Sequence, residues 1–94
     1  MPYAAVIEVD NSGEDADDGR RALRDELAPT MQALDGFQSG LFLTAYEHGR
    51  GIAVVVFDTR EHAEQLNAGL AVGREIRGGV TVTRTDVLEV SASA

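Results

Sequence analysis

The chain contains no cysteine, which removes disulfides, thiolate metal ligands and thiol nucleophiles from its chemistry. Basic residues are also scarce: eight stand against sixteen acidic ones, for a formal net charge of −8, and they form no stripe. A surface of that sign repels phosphate backbones and anionic headgroups, so no nucleic acid and no membrane is expected as a partner. Nor is any apolar run near the roughly 20 residues that cross a bilayer. Met1-Pro2-Tyr3 does not open a basic segment followed by an apolar one, and a cytoplasmic location is expected. With two histidines and no cysteine, no metal site is expected either.

What remains is one domain over residues 1–94, and a chain of this length buries only about 60–65% of its unfolded surface. Its core is thin, and a partner would reinforce it. The run Tyr3 to Val9, rich in Val and Ile and ended by the turn formers Asp10-Asn11-Ser12-Gly13, reads as a strand. Acids from Glu14 to Asp18 precede Arg20, Arg21 and Arg24, the order a helix macrodipole favours. Ala16, Leu23, Leu27, Met31 and Leu34 recur at helical spacing, and Pro29 should kink that helix or end its regular part. Leu41 to His48 and Ile52 to Phe57 read as a hairpin around Gly49-Arg50-Gly51. Asp58 and Thr59 cap a second helix, with Glu61 placed to complete a capping box with Asp58 and with Ala63, Leu66 and Leu70 as its buried line. Gly73 and Gly78-Gly79 mark its exit, and Val80 to Val90 is a final strand. The order is βαββαβ, an α+β ferredoxin-like arrangement with two helices on one side of an antiparallel four-stranded sheet.

Two helices cover one face of such a sheet. With Gly49-Arg50 as a two-residue loop, Phe42 opposes Phe57, Thr44 opposes Val55 and Tyr46 opposes Ala53. Leu41, Leu43, Ala45, Ile52, Val54 and Val56 form the other set. The aliphatic set suits packing under helices, and the mixed set, with Phe42, Tyr46, Val55 and Phe57 beside Thr44 and His48, suits an interface or a lined cavity. Three exposed aromatics would make a patch of about 500 Å², at the top of what monomers carry, so a second copy of the chain is expected to cover it.

Two segments, Leu34-Asp35-Gly36-Phe37-Gln38-Ser39-Gly40-Leu41 and Val56-Phe57-Asp58-Thr59-Arg60-Glu61-His62-Ala63, resemble the helix-to-strand and strand-to-helix junctions of the dimeric α/β-barrel proteins, in particular the small type related to antibiotic-biosynthesis monooxygenases. The resemblance spans nearly the whole chain. It implies a homodimer whose two sheets close a barrel, and a pocket for a small aromatic or polyketide-like molecule. It also implies an activity among cofactor-independent oxygenation, haem degradation, isomerisation, polyketide cyclisation and none. Haem degraders and several of the monooxygenases use a Trp, which this chain lacks, and no cofactor is expected.

The candidate catalytic pair is His48 with Tyr46, a general base and an orienting acid for deprotonating a phenol or an acidic carbon; the alternative for His48 is a polar strand end beside a turn. Phe42, Thr44, Val55 and Phe57 are the candidate ligand-lining residues. Asn67, which the resemblance sets at the place of the family's Asn, and Arg84, as an anchor for a ligand, complete the set, against the plainer readings of a helix-end polar residue and an interface ion pair with Asp86. Glu8 reads as a rim carboxylate, and His62 as a surface residue. Three classes of function stay open: a cofactor-free oxygenase or cyclase, a non-catalytic ligand-binding module, and a structural dimer.

Overall fold

Alternating Val and Ile with a turn cluster behind them do build the first strand, β1 (Tyr3–Asp10). The computed structural model describes residues 1–94. After β1, Asp15 caps helix α1 (Ala16–Ala22) by accepting from the Asp18 amide at 3.1 Å. The helix continues through a π-helical segment, Leu23–Leu27, and resumes as α2 (Ala28–Gln32). The π segment ends two residues before Pro29, which has no amide to close the bond to the preceding turn and whose ring crowds the carbonyl four residues back. One widened turn carries the helix past the proline, and the Thr30 hydroxyl satisfies the Glu26 carbonyl at 2.7 Å.

Strands β2 (Phe37–Ala45) and β3 (Arg50–Phe57) follow, then α3 (Arg60–Ala68), a short β4 (Glu75–Arg77) and β5 (Val80–Glu89). They form a five-stranded antiparallel sheet in the order β2-β3-β1-β5-β4. The fifth strand, β4, is an addition to the four expected: the second helix ends at Ala68, and Gly78 and Gly79, expected at its exit, instead form the turn of a hairpin from β4 onto β5, with Gly79 at φ +80°. Thr59, not Asp58, caps α3, accepting from the His62 amide at 3.2 Å, and Asp58 is engaged with the His62 side chain instead of a capping box. No helix is long and apolar enough to cross a membrane.

The β2–β3 turn differs from the expected two-residue loop. Ala45 pairs with Arg50, and Tyr46–His48 make a 3₁₀ turn ended by Gly49 at φ +65°. Phe42 therefore opposes Ala53, and Thr44 opposes Gly51. The slip is an even number of residues, so each side chain keeps its expected companions. What inverts is the face they occupy. Val55 and Phe57 are buried with Ala5, Ile7, Val82 and Ala63 in the core beneath the helices. Leu41, Leu43 and Leu88 stand 62%, 51% and 52% exposed on the opposite, uncovered face, beside Val54 and Val56. Sheet faces are interchangeable to a pattern of alternation, and only the helices decide which set goes inward.

A bulge between Glu8 and Val9 explains a second inversion. Val82 opposes Val9 on the inner face, but Arg84 opposes Glu8 on the outer one. Arg84 is thereby separated from Val80 and Val82, whose face it was expected to share. It pairs with Asp86 at 2.7 Å and with Glu8 at 3.7 Å, and Glu8 also receives Arg50 at 2.8 Å. The uncovered face is thus aliphatic at its centre with an ionic cluster at one end.

Candidate functional site

Helix α3 packs on β1, β3 and β5, while the first helix meets the sheet chiefly where α2 lies against β2. The α1 and π segments stand off the sheet, and the gap is a cavity of about 280 Å³ that opens to solvent. Small residues keep it from filling: Gly51 and Ala53 floor it on β3. Leu23, Leu27 and Met31, the helix stripe read from spacing, roof it, and Ile7, Val9, Phe42 and Leu70 complete a mainly apolar wall.

Its polar end is built from four residues. Glu14, just before α1, and Arg77 on β4 form a two-bonded ion pair, Nε to Oε2 at 2.5 Å and Nη2 to Oε1 at 3.2 Å, with only 8% of the Glu14 side chain exposed. The Arg77 guanidinium is raised above its ordinary pKa, first by those hydrogen bonds, against the opposing effect of burial. Tyr46 lies under α1 with the Arg20 guanidinium 5.1 Å from its ring centre. Its hydroxyl is buried and has no hydrogen-bond partner. Burial raises its pKa, the Glu14 carboxylate adds to the rise, and Arg20, Arg77 and a Thr44 hydroxyl that is not in bonding geometry oppose it. The phenol is therefore held in its protonated form. Asn11 is the fourth: its amide nitrogen donates to the Arg50 carbonyl at 3.1 Å, while Oδ1 is buried without a partner.

Gly19 makes this grouping possible. A Cβ there would overlap both the Tyr46 hydroxyl and the Glu14 carboxylate, so the phenol and the carboxylate are neighbours across the space of a missing side chain. Every larger residue at position 19 would part them.

Of the residues expected to form a site, Phe42, Thr44 and Tyr46 line this cavity. Val55 and Phe57 lie deeper in the core, and Phe57 borders a second hollow of about 250 Å³ with Leu34, Asp35, His62, Gln65 and Leu66. His48 does not join Tyr46: its side chain is 75% exposed in the hairpin turn, 3.8 Å from Glu47. Asn67 ties α3 to β5 by donating to the Asp86 carbonyl at 2.8 Å, and Arg84 sits on the uncovered sheet face. Glu14, Arg77 and Asn11 are site residues that pattern reading missed. Asn11 looked like one turn former among four, and nothing in the sequence pairs positions 14 and 77.

Comparison with protein-family models, with curated proteins and with solved structures finds no match.

His62 is the other titrating centre. Its Nδ1 lies 2.6 Å from Asp58 Oδ1, over the Gly36 turn, where φ is +78° and a Cβ would collide with both. The hydrogen bond with Asp58 raises His62 above 6.5, burial opposes it, and the charges of Asp58, Asp35 and Glu61 reinforce it; the same bond lowers Asp58 below 3.8. A raised histidine stabilises the fold fully below its ordinary pKa and ceases to do so as pH climbs through the raised value. A lowered carboxylate contributes above its ordinary pKa and is lost as pH falls through the lowered one. The pair is therefore most effective between those limits. Melting temperature measured across pH should show wild type ahead of His62→Gln in weak acid and the difference closing above neutrality; a constant difference would contradict the linkage.

Proposed function

We propose that this protein binds a small, largely apolar molecule, aromatic or polyketide-like, in the cavity between its first helix and its sheet. The observation that carries this reading is the cavity itself, about 280 Å³, open to solvent and walled chiefly by apolar side chains, with Asn11, Tyr46 and the Glu14–Arg77 pair gathered at one end.

The strand order β5-β1-β3-β2, with both helices on one face, supports a ferredoxin-like core extended by β4. We read the uncovered aliphatic face as the seam of a homodimer, the arrangement of a dimeric α/β barrel. In that assembly the seam is made by Leu41, Leu43, Val54, Val56 and Leu88, not by the aromatic set, which is committed to the core and the cavity.

Binding without turnover is the reading the geometry favours over cofactor-independent oxygenation. That chemistry starts with a base that deprotonates the substrate. The carboxylate in the cavity, Glu14, is tied through both oxygens to Arg77, and His48 lies outside. The test is to titrate a bicyclic aromatic, 2-naphthol, against the protein while following melting temperature and dissolved oxygen. At one hundred times the dissociation constant, binding adds about 2.7 kcal/mol, a rise on the order of 10 °C for a domain of this size. A rise with constant oxygen and unchanged 2-naphthol is the expected result. Oxygen uptake would establish the oxygenase instead, and an unmoved melting curve would remove the ligand reading.

A further inference from the structure

The eight basic residues of the chain are all arginines, and sixteen acidic side chains are available to them. Seven of the eight hold a carboxylate at 3.3 Å or less. Arg74 is the exception: it has no acidic partner, and it is one of the residues that line the cavity between the first helix and the sheet.

Its backbone is fixed at that place. The Arg74 amide donates to the Ala71 carbonyl at 3.0 Å, and its carbonyl accepts from the Val82 amide on β5 at 2.9 Å. Its side chain is exposed, so it stands where the cavity meets solvent, and its Nη1 donates to the Gly69 carbonyl beyond the end of α3. That bond uses one edge of the guanidinium and compensates none of its charge. The Nε–Nη2 edge, the side-on fork that matches the two oxygens of a carboxylate, is left over. The rest of the lining is balanced, because Glu14 and Arg77 are bonded to each other. The cavity wall thus carries one net positive charge in a chain whose net charge is −8, a local reversal of a field that otherwise repels anions.

From this we infer that the cavity selects a one- or two-ring aromatic carboxylate, its rings between Leu23 and Leu27 above and Gly51 and Ala53 below, its carboxylate at the mouth on Arg74. The inference rests on the cavity being a ligand site and goes further by naming the charged group that site reads. A volume of about 280 Å³ lies just below the range of drug-sized sites and suits one or two fused rings. One cation matches the single charge of a carboxylate, which a phosphate monoester exceeds. Because the pair forms at the solvent boundary, the carboxylate keeps part of its hydration, and the preference it confers is moderate and sensitive to salt.

Two probes of nearly equal shape isolate that charge: 2-naphthoate, ionised at neutral pH, and 2-naphthamide, which is not. Each is titrated by calorimetry into wild-type protein and into Arg74→Gln, with circular dichroism verifying the variant's fold. Wild type should bind naphthoate about tenfold more tightly than naphthamide at low ionic strength, and the ratio should shrink toward one at about 0.5 M sodium chloride. In Arg74→Gln the two should bind alike, with naphthamide as in wild type. The wild-type ratio and its salt dependence need no variant to fold. Equal binding of the two probes by wild type would overturn the carboxylate assignment and leave the cavity a general apolar site. A preference for naphthoate that survives Arg74→Gln would overturn the role of Arg74. If neither probe binds, the ligand reading falls and this inference falls with it.

Discussion

Leu41→Arg should convert a dimer into a folded monomer. Leu41 is 62% exposed, and its neighbours across the uncovered face, Leu43 and Leu88, are 51% and 52% exposed, so a charge there touches nothing inside the subunit. Four strands about 4.8 Å apart and some eight residues long present a face of roughly 500 Å², and two such faces together reach the roughly 1,000 Å² below which specific association is rare. A guanidinium on that face, on the edge strand β2, would be buried in the proposed pairing opposite aliphatic side chains with no acceptor, at a cost of several kcal/mol and a loss of at least a hundredfold in dimer affinity. Sedimentation velocity over a dilution series measures the change, and circular dichroism tests the subunit fold. Arg84→Ala, at the ionic end of the same face, should weaken pairing far less, because its partners Asp86 and Glu8 lie within its own subunit. A wild-type protein that sediments as a monomer at every concentration would overturn the pairing.

The face this experiment addresses is also where pattern reading and structure part. Alternation separated Phe42, Thr44, Val55 and Phe57 from Leu41, Leu43, Val54 and Val56, and the sheet keeps that separation although the hairpin register differs. Alternation carries no sign, however. The smooth aliphatic set looked like the underside of two helices, yet helices that stand off the sheet around a cavity need the larger, more varied side chains, and smoothness serves a flat seam equally well. The bulge at Glu8 and Val9 is a different kind of loss. One extra residue reverses the parity of everything after it, which moved Arg84, Asp86 and Leu88 outward, and no residue type in β5 announces it. The helix stripe of Leu23, Leu27 and Met31 was legible because helical period alone places it. The polar end of the cavity was not, because it joins residues 11, 14, 46 and 77, whose proximity is a product of the whole topology.

The largest stability effect should come from that polar end. Glu14 and Arg77 are 63 positions apart, and their two bonds fasten the start of α1 to the short edge strand β4. Glu14→Gln would keep the shape and remove the charge, leaving the guanidinium facing the buried Tyr46 hydroxyl with no anion beside it. Breaking one half of a buried pair costs about 3–5 kcal/mol; because a quarter of the Arg77 side chain remains exposed, about 2–3 kcal/mol is expected, and a fall in melting temperature of about 10–20 °C. The double variant Glu14→Leu with Arg77→Met leaves no charge stranded, and should recover most of that loss in thermal denaturation. A double variant no more stable than Glu14→Gln would mean that the pair's own bonds, and not the stranded charge, dominate.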